Sequence, residues 1–177
     1  MNFLKNILDI CLLRGRVQDL PASTRLLAVT GLASVVVNSL SIPEQNLGIA
    51  QILFVALQPV LFGAVIFALL RLRGFPERWV QTMTALYAVD AVFSLLKLPF
   101  LSEMMDMMKQ GPGAEFRWEG VLVLFLGGWL LLITARILRE ATEWPLPLAF
   151  FASLTALLVV FMLSYLLMPL FGFSTQT

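Results

Sequence analysis

One acidic residue, Asp90, lies near the middle of an apolar run, in the stretch 84–94. An ionised carboxylate at the centre of a bilayer costs about 2.5–3.5 kcal/mol on insertion scales, so it is not expected to face lipid. Its chemistry would be the binding of a proton or cation in a transport path. Its structural use would be to hydrogen-bond neighbouring helices together. Tyr87, Asp90, Ser94 and Lys97 follow spacings of three and four and form one stripe on a helix. Lys97 is two turns beyond Asp90, about 10 Å along the axis, too far for a direct ion pair, and its stem is expected to snorkel outward. Other segments offer partners. Gly31, Ser34 and Asn38 share one helical face and Gln51 and Gln58 another, while Pro59 inside a helix frees a backbone carbonyl that a neighbour can satisfy. Gly120, Gly127 and Thr134 recur every seven residues, and Ala149 with Ser153 and Ala152 with Ala156 are small pairs four apart. Small residues let helices approach closely. The expectation is an intramembrane polar cluster of Asp90, Tyr87, Ser94, Asn38, Gln51, Gln58 and Thr134.

A second group has residue types suited to soft metals. Met104, Met105, Met107 and Met108 are four of the eight methionines, and thioethers bind Cu(I). The chain has no histidine to support such a site, and the ordinary reading is an amphipathic outer helix ended by Gly111, Pro112 and Gly113. No metal or cofactor is expected. Without histidine there is no Ser-His pair, the lone intramembrane acid makes no carboxylate dyad, and no phosphate-binding glycine loop is present. Cys11 is the single cysteine, so no internal disulfide can form. The bases are scattered at helix ends rather than forming a nucleic-acid stripe. The residues point away from an enzyme.

The elements that must position these groups follow from composition. Hydrophobic residues make up 59% of the 177 and charged ones 13%, with a mean hydropathy of +0.89, outside the usual globular range. Charges cluster between apolar runs long enough to cross a core about 30 Å thick, and the period-two alternation of a membrane barrel is absent. The class expected is all-α, an integral bundle of five transmembrane helices at about 23–40, 47–70, 79–98, 120–138 and 146–170. The first is the shortest. Residues 1–20 form a cytoplasmic helix and linker, 21–173 the membrane domain and 174–177 a short tail.

With the N-terminus inside, Lys5, Arg14, Arg16, Arg25, Arg71, Arg73, Arg78, Arg136 and Arg139 fall on the cytoplasmic side and Lys97, Lys109 and Arg117 outside: nine of the twelve bases against three. Residues 1–13 put Phe3, Leu4, Ile7, Leu8, Cys11 and Leu12 at helical spacing opposite Lys5, Asn6 and Asp9. That pattern predicts an amphipathic helix in the inner interface, stopped at Gly15, and no cleavable signal peptide. Arg14, Arg16, Arg71 and Arg73 are placed to meet lipid headgroups or a partner.

A cytoplasmic N-terminal segment followed by five closely spaced membrane helices resembles the Yip1-domain family. Asp19, Leu20 and Pro21 before the first helix are similar to the start of that family's Asp-Leu-Tyr-Gly-Pro motif, without its Tyr and Gly. Leu86, Tyr87 and Ala88 stand where members carry a Gly-Tyr element, without the glycine. The resemblance implies an interaction or membrane-organising protein of the kind that works with small GTPases in eukaryotic trafficking. Bacterial relatives are small inner-membrane proteins. The function expected is an accessory, scaffold or membrane-organising subunit of a bacterial inner membrane, touching the bilayer and other membrane proteins or itself, and no nucleic acid. The rival is a small transporter or channel subunit that uses Asp90 as its proton or cation site.

Overall fold

The computed structural model describes residues 3–42, 48–110 and 118–171, with 102–110 described by backbone alone. Every regular element among them is helical: α1 (Phe3–Cys11), α2 (Thr24–Ser39), α3 (Ile49–Leu72), α4 (Trp79–Gln110), α5 (Trp118–Thr142) and α6 (Leu146–Leu167), with short 3₁₀ turns at Val17–Asp19, Pro76–Arg78 and Met168–Phe171. The all-α class is what the apolar runs require, because in lipid a helix satisfies its backbone internally. Four stretches are long and apolar enough to cross a membrane: Ile49–Leu72, Pro76–Leu101, Trp118–Thr142 and Leu146–Phe171. At 16 residues α2 reaches about 24 Å, less than a full hydrocarbon core. The methionine run lies outside the described side chains. Its backbone continues α4 without a break to Gln110.

Paired contacts give the helix directions. Ser34 and Asn38 of α2 meet Asp90 and Ser94 of α4 in the same order, so these two run alongside one another. Trp79 and Tyr87 meet Gly63 and Pro59 in reverse order, so α3 runs against α4. Arg78 reaches the carbonyl of Ala141 while Phe100 stacks edge-on with Trp118 at 6.3 Å, which sets α5 against α4. Gln58 with Ser164 and Phe54 with Phe171 set α6 against α3. Helices α2 to α6 therefore alternate in direction, and α2 and α4 form the most extensive pair.

The ends of the helices follow local chemistry. Ser23 caps α2 by accepting from the Leu26 N–H. Gly74, at φ +79°, closes α3 in a Schellman turn in which the Phe75 N–H returns to the Leu70 carbonyl. α1 closes the same way, but its left-handed residue is Leu13 at φ 59°, with the Arg14 N–H donating to the Asp9 carbonyl. Gly15 was expected to be the stop. It instead folds back so closely that a Cβ there would lie 2.9 Å from the Ile10 nitrogen.

The tightest packing is at the end of the bundle that α1 and residues 17–20 cover. Leu20, Ile66, Leu70, Met83, Ile133, Ile137 and Leu138 are fully buried there. Ile7, Ile10 and Cys11 anchor α1 on this core, and Leu4, Leu8 and Leu12 stay exposed along its other edge. The apolar face expected of α1 is thus divided between protein and surroundings. Large exposed apolar side chains run along α6, including Phe151, Leu158, Phe161 and Leu166, the surface of a helix solvated by lipid rather than water.

Candidate functional site

α4 carries Asp90 to the middle of the bundle, where it is half-buried. Its Oδ2 accepts from Ser34 Oγ at 2.6 Å and from Asn38 Nδ2 at 2.9 Å, both on α2. Asn38 is itself held, because Nδ2 also donates to the Ser34 carbonyl at 2.9 Å and Oδ1 accepts from Ser94 Oγ at 3.1 Å. Spacings of four on two helices running the same way produce this ladder, since residues four apart stack on one face. Among the described residues no Lys or Arg makes an ion pair with Asp90. The ion pairs found are Arg78 with Glu143 at 2.7 Å and Arg136 with Glu140 at 3.6 Å, both at the α1 end.

Asp90 lies on the wall of a cavity of about 360 Å³ that all five long helices enclose. Asn38, Gln58, Tyr87 and Thr134 share that wall with Phe62, Leu86, Leu130, Leu131, Leu157 and Val160. Most of the lining is apolar, with Ser34, Asn38, Tyr87 and Asp90 on α2 and α4, Gln58 on α3 and Thr134 on α5 as its polar groups. That is the composition of a small-molecule site, in which a few polar groups orient a largely hydrophobic occupant.

The seven residues expected to form one polar cluster divide into three groups. Asp90, Asn38 and Ser94 are joined by hydrogen bonds, with Ser34 beside them. Tyr87 and Gln58 border the same cavity but spend their best-placed atoms elsewhere: the Tyr87 hydroxyl donates to the Pro59 carbonyl at 2.6 Å, and Gln58 Oε1 accepts from Ser164 Oγ at 2.8 Å. The proline does supply a carbonyl to a neighbour, although it is its own; the one its ring frees is four residues earlier. Thr134 lines the cavity with its hydroxyl committed to the Leu130 carbonyl at 2.9 Å. Gln51 does not join them. It lies in the first turn of α3, two turns from Gln58, with its Oε1 turned back against Gly48.

The glycines divide differently from the expected close-approach seams. Gly31 touches the Tyr87 ring, where a Cβ would lie 3.4 Å from Cδ2, and a Cβ on Gly63 would lie 2.9 Å from the Tyr87 oxygen. These two make room for the tyrosine. Gly127 belongs to no such contact, since a Cβ there would meet nothing within 4 Å. On α6 the packed stripe is Ala149, Ser153, Ala156, Val160 and Ser164, so of the small pairs read from the sequence Ala149, Ser153 and Ala156 face inward and Ala152 does not. Ser34 entered the sequence reading only as a face-sharing residue, and Ser164 not at all. A lone serine on an apolar helix carries no signal until its partner is known.

Arg14, Arg16, Arg71 and Arg73, expected to meet headgroups or a partner, are all exposed. Arg73 is partly committed, with its guanidinium 5.2 Å over the Trp144 ring and Nη2 donating to the Thr142 carbonyl at 3.5 Å. Arg78 and Arg136 were read simply as inward charges, and they hold structure together. Arg78 caps the end of α5 through the Glu140 and Ala141 carbonyls, where the helix dipole favours a cation. Arg136 donates to the Leu13 carbonyl, and Glu140 accepts from the Val17 N–H at 2.9 Å. Together they fasten the N-terminal segment to α5. Among the described residues no cluster of His, Cys, Asp or Glu could hold a metal. No family model, curated protein or solved structure matches the chain.

Proposed function

We propose that this is a five-span integral membrane protein that binds a proton or a small cation-bearing molecule at Asp90 inside the bilayer. The observation that carries this reading is the placement of the carboxyl group: Oδ2 is fixed by Ser34 and Asn38, on the wall of a mostly apolar cavity of about 360 Å³. An acid kept only to join helices needs no open volume beside it. Here α2 supplies the polar grip, while α3, α5 and α6 supply a space that an occupant can fill.

In this reading α2 is the fifth span, running beside α4 to the depth of Ser94 and prolonged by residues 40–42. α1 lies in the headgroup layer, with Leu4, Leu8 and Leu12 toward the acyl chains. Arg14, Arg16, Arg71 and Arg73 share the end capped by α1, which supports a cytoplasmic N-terminus and headgroup contacts there. The proposed location is a bacterial inner membrane with the C-terminus on the periplasmic side. The exposed aromatic and aliphatic face of α6, with Phe151, Phe161 and Tyr165, favours a second reading, an accessory or scaffold subunit of the Yip1-like kind that docks another membrane protein there.

Carbodiimides of different lipid solubility test the first reading, because a carboxyl adds to the reagent and is retained as a stable N-acylurea. A lipophilic carbodiimide is expected to modify Asp90 in the intact membrane protein, and a water-soluble one only the acids at the helix ends. Asp90→Asn supplies the unreactive control. Asp90 left unmodified by the lipophilic reagent, in protein that is folded, would overturn the binding role and leave the accessory one.

A further inference from the structure

We infer that the cavity takes a lipophilic ammonium, an alkyl or aryl amine, and that it arrives from the lipid phase beside Gly127. The inference rests on the binding role proposed for Asp90. Charge supplies the first half. Ser34 and Asn38 are neutral donors, both bound to Oδ2, and no described Lys or Arg is paired with this acid. Among the described residues Oδ1 has no hydrogen-bond partner. An ammonium would donate to Oδ1 and bring the countercharge that an ionised carboxylate in low dielectric requires. The rest of the wall is mostly hydrocarbon, from Phe62, Leu86, Leu130, Leu131, Leu157 and Val160, and its other polar side chains, Gln58, Tyr87 and Thr134, are engaged with Ser164, Pro59 and Leu130. The volume of about 360 Å³ stands at the lower end of small-molecule pockets, which suits one amine with a modest apolar body rather than a whole phospholipid.

Access supplies the second half. Toward α1 the bundle is shut by fully buried Leu70, Met83 and Leu138. Two residues of the cavity wall, Gly127 on α5 and Leu157 on α6, are exposed as well, so the cavity reaches the protein surface there. Around them Leu124, Phe125, Leu158 and Phe161 are exposed, an apolar rim suited to acyl chains. The missing side chain at Gly127 leaves the mouth open, since even a Cβ would touch nothing within 4 Å.

A dodecylamine carrying a diazirine, and the matching dodecanol, would be photolysed with the full chain in phosphatidylcholine vesicles and the labelled peptides mapped. The amine is expected to label the peptides that hold Leu130, Leu131 and Leu157 about tenfold more than the alcohol, the difference one charge-assisted hydrogen bond supplies. Asp90→Asn should bring the amine down to the level of the alcohol. Gly127→Phe should suppress cavity labelling by the amine about tenfold while Gly127→Ala retains it, and Leu157→Trp serves as a second plug should the first variant not fold. Equal labelling by amine and alcohol would overturn the ammonium class and leave the binding role standing. Undiminished labelling in both plugged variants would overturn the route. Cavity peptides left untouched by either probe would overturn this inference whole, while the carbodiimide reaction of Asp90 decides the binding role separately.

Discussion

Asp90 was visible in the sequence because an acid in an apolar run is costly wherever it sits, and cost marks it before any partner is known. Its helix-mates were visible for the same reason, as polar residues at spacings of three and four. The identity of its donors was less so: Ser34 and Asn38 were two of several polar residues on other helices, and nothing local distinguishes them from Gln51, which ends up elsewhere. Cys11 makes the contrasting case of a residue whose behaviour is set chiefly by burial. It sits under the bundle, outside the spanning helices, with its carbonyl accepting from Trp129 Nε1 at 3.0 Å, and desolvation pushes its thiol from 9.0 up to about 11. Between those two values the folded chain keeps a proton that the unfolded chain has lost. Its contribution to stability is therefore full below the unfolded pKa and disappears as the pH rises toward 11. Relative to Cys11→Ala, the wild-type unfolding midpoint should fall across that window, and iodoacetamide at pH 8 should alkylate Cys11 only after denaturation. Rapid alkylation of the folded protein at that pH would refute the buried placement.

Helices meet here through a few shaped contacts rather than through uniform small-residue seams. The α3–α4 contact is built on the Tyr87 hydroxyl reaching Pro59 and the Trp79 indole N–H reaching the Gly63 carbonyl at 2.9 Å, and a Cβ added at Gly63 would lie 2.9 Å from the tyrosine oxygen. Gly63→Ala gains up to about 1 kcal/mol of helix propensity, but overpacking a fitted site costs about 1–3 kcal/mol, and the hydrogen bond is strained as well. The net effect expected is a destabilisation of about 1 kcal/mol. In a Tyr87→Phe background the oxygen is gone, and the same substitution should become neutral or stabilising. Reversible unfolding in mixed micelles of the four variants reads the sign, and an unchanged effect in both backgrounds would reject this account of the contact. Helix positions were legible from hydropathy to within a few residues, α2 included, apart from the end of α4, which continues to Gln110 where the span was expected to end near 98. What could not be read was how each helix ends. A left-handed residue was expected to be glycine, and at α1 it is Leu13, held by packing on the core and by the Arg136 bond to its carbonyl.

Across the whole molecule, charge and packing are polarised together. The end covered by α1 is closely packed and carries Arg14, Arg16, Arg71, Arg73, Arg78 and Arg136, several of them tied to carbonyls or to Glu140 and Glu143. The middle of the bundle holds the cavity. A chain oriented by its bases should place the arginine end in the cytoplasm, so a reporter fused after Thr177 is expected to be active on the outer side and one fused before Met1 on the inner. The opposite pattern would reverse the orientation proposed for the cavity and for α1. The sequence by itself determined the all-helical class, the four helices long and apolar enough to cross a membrane and the singular standing of Asp90, because all of these depend on transfer free energies and periodicities that a single chain carries within itself. Only the tertiary structure decided that Ser34 and Asn38 grip one oxygen of Asp90, that Gln58 turns to Ser164, that Gly127 lines a cavity rather than a seam, and that the carboxyl borders that cavity. Those outcomes depend on which helix faces meet and in which direction, and in an apolar chain many pairings satisfy the same hydropathy pattern.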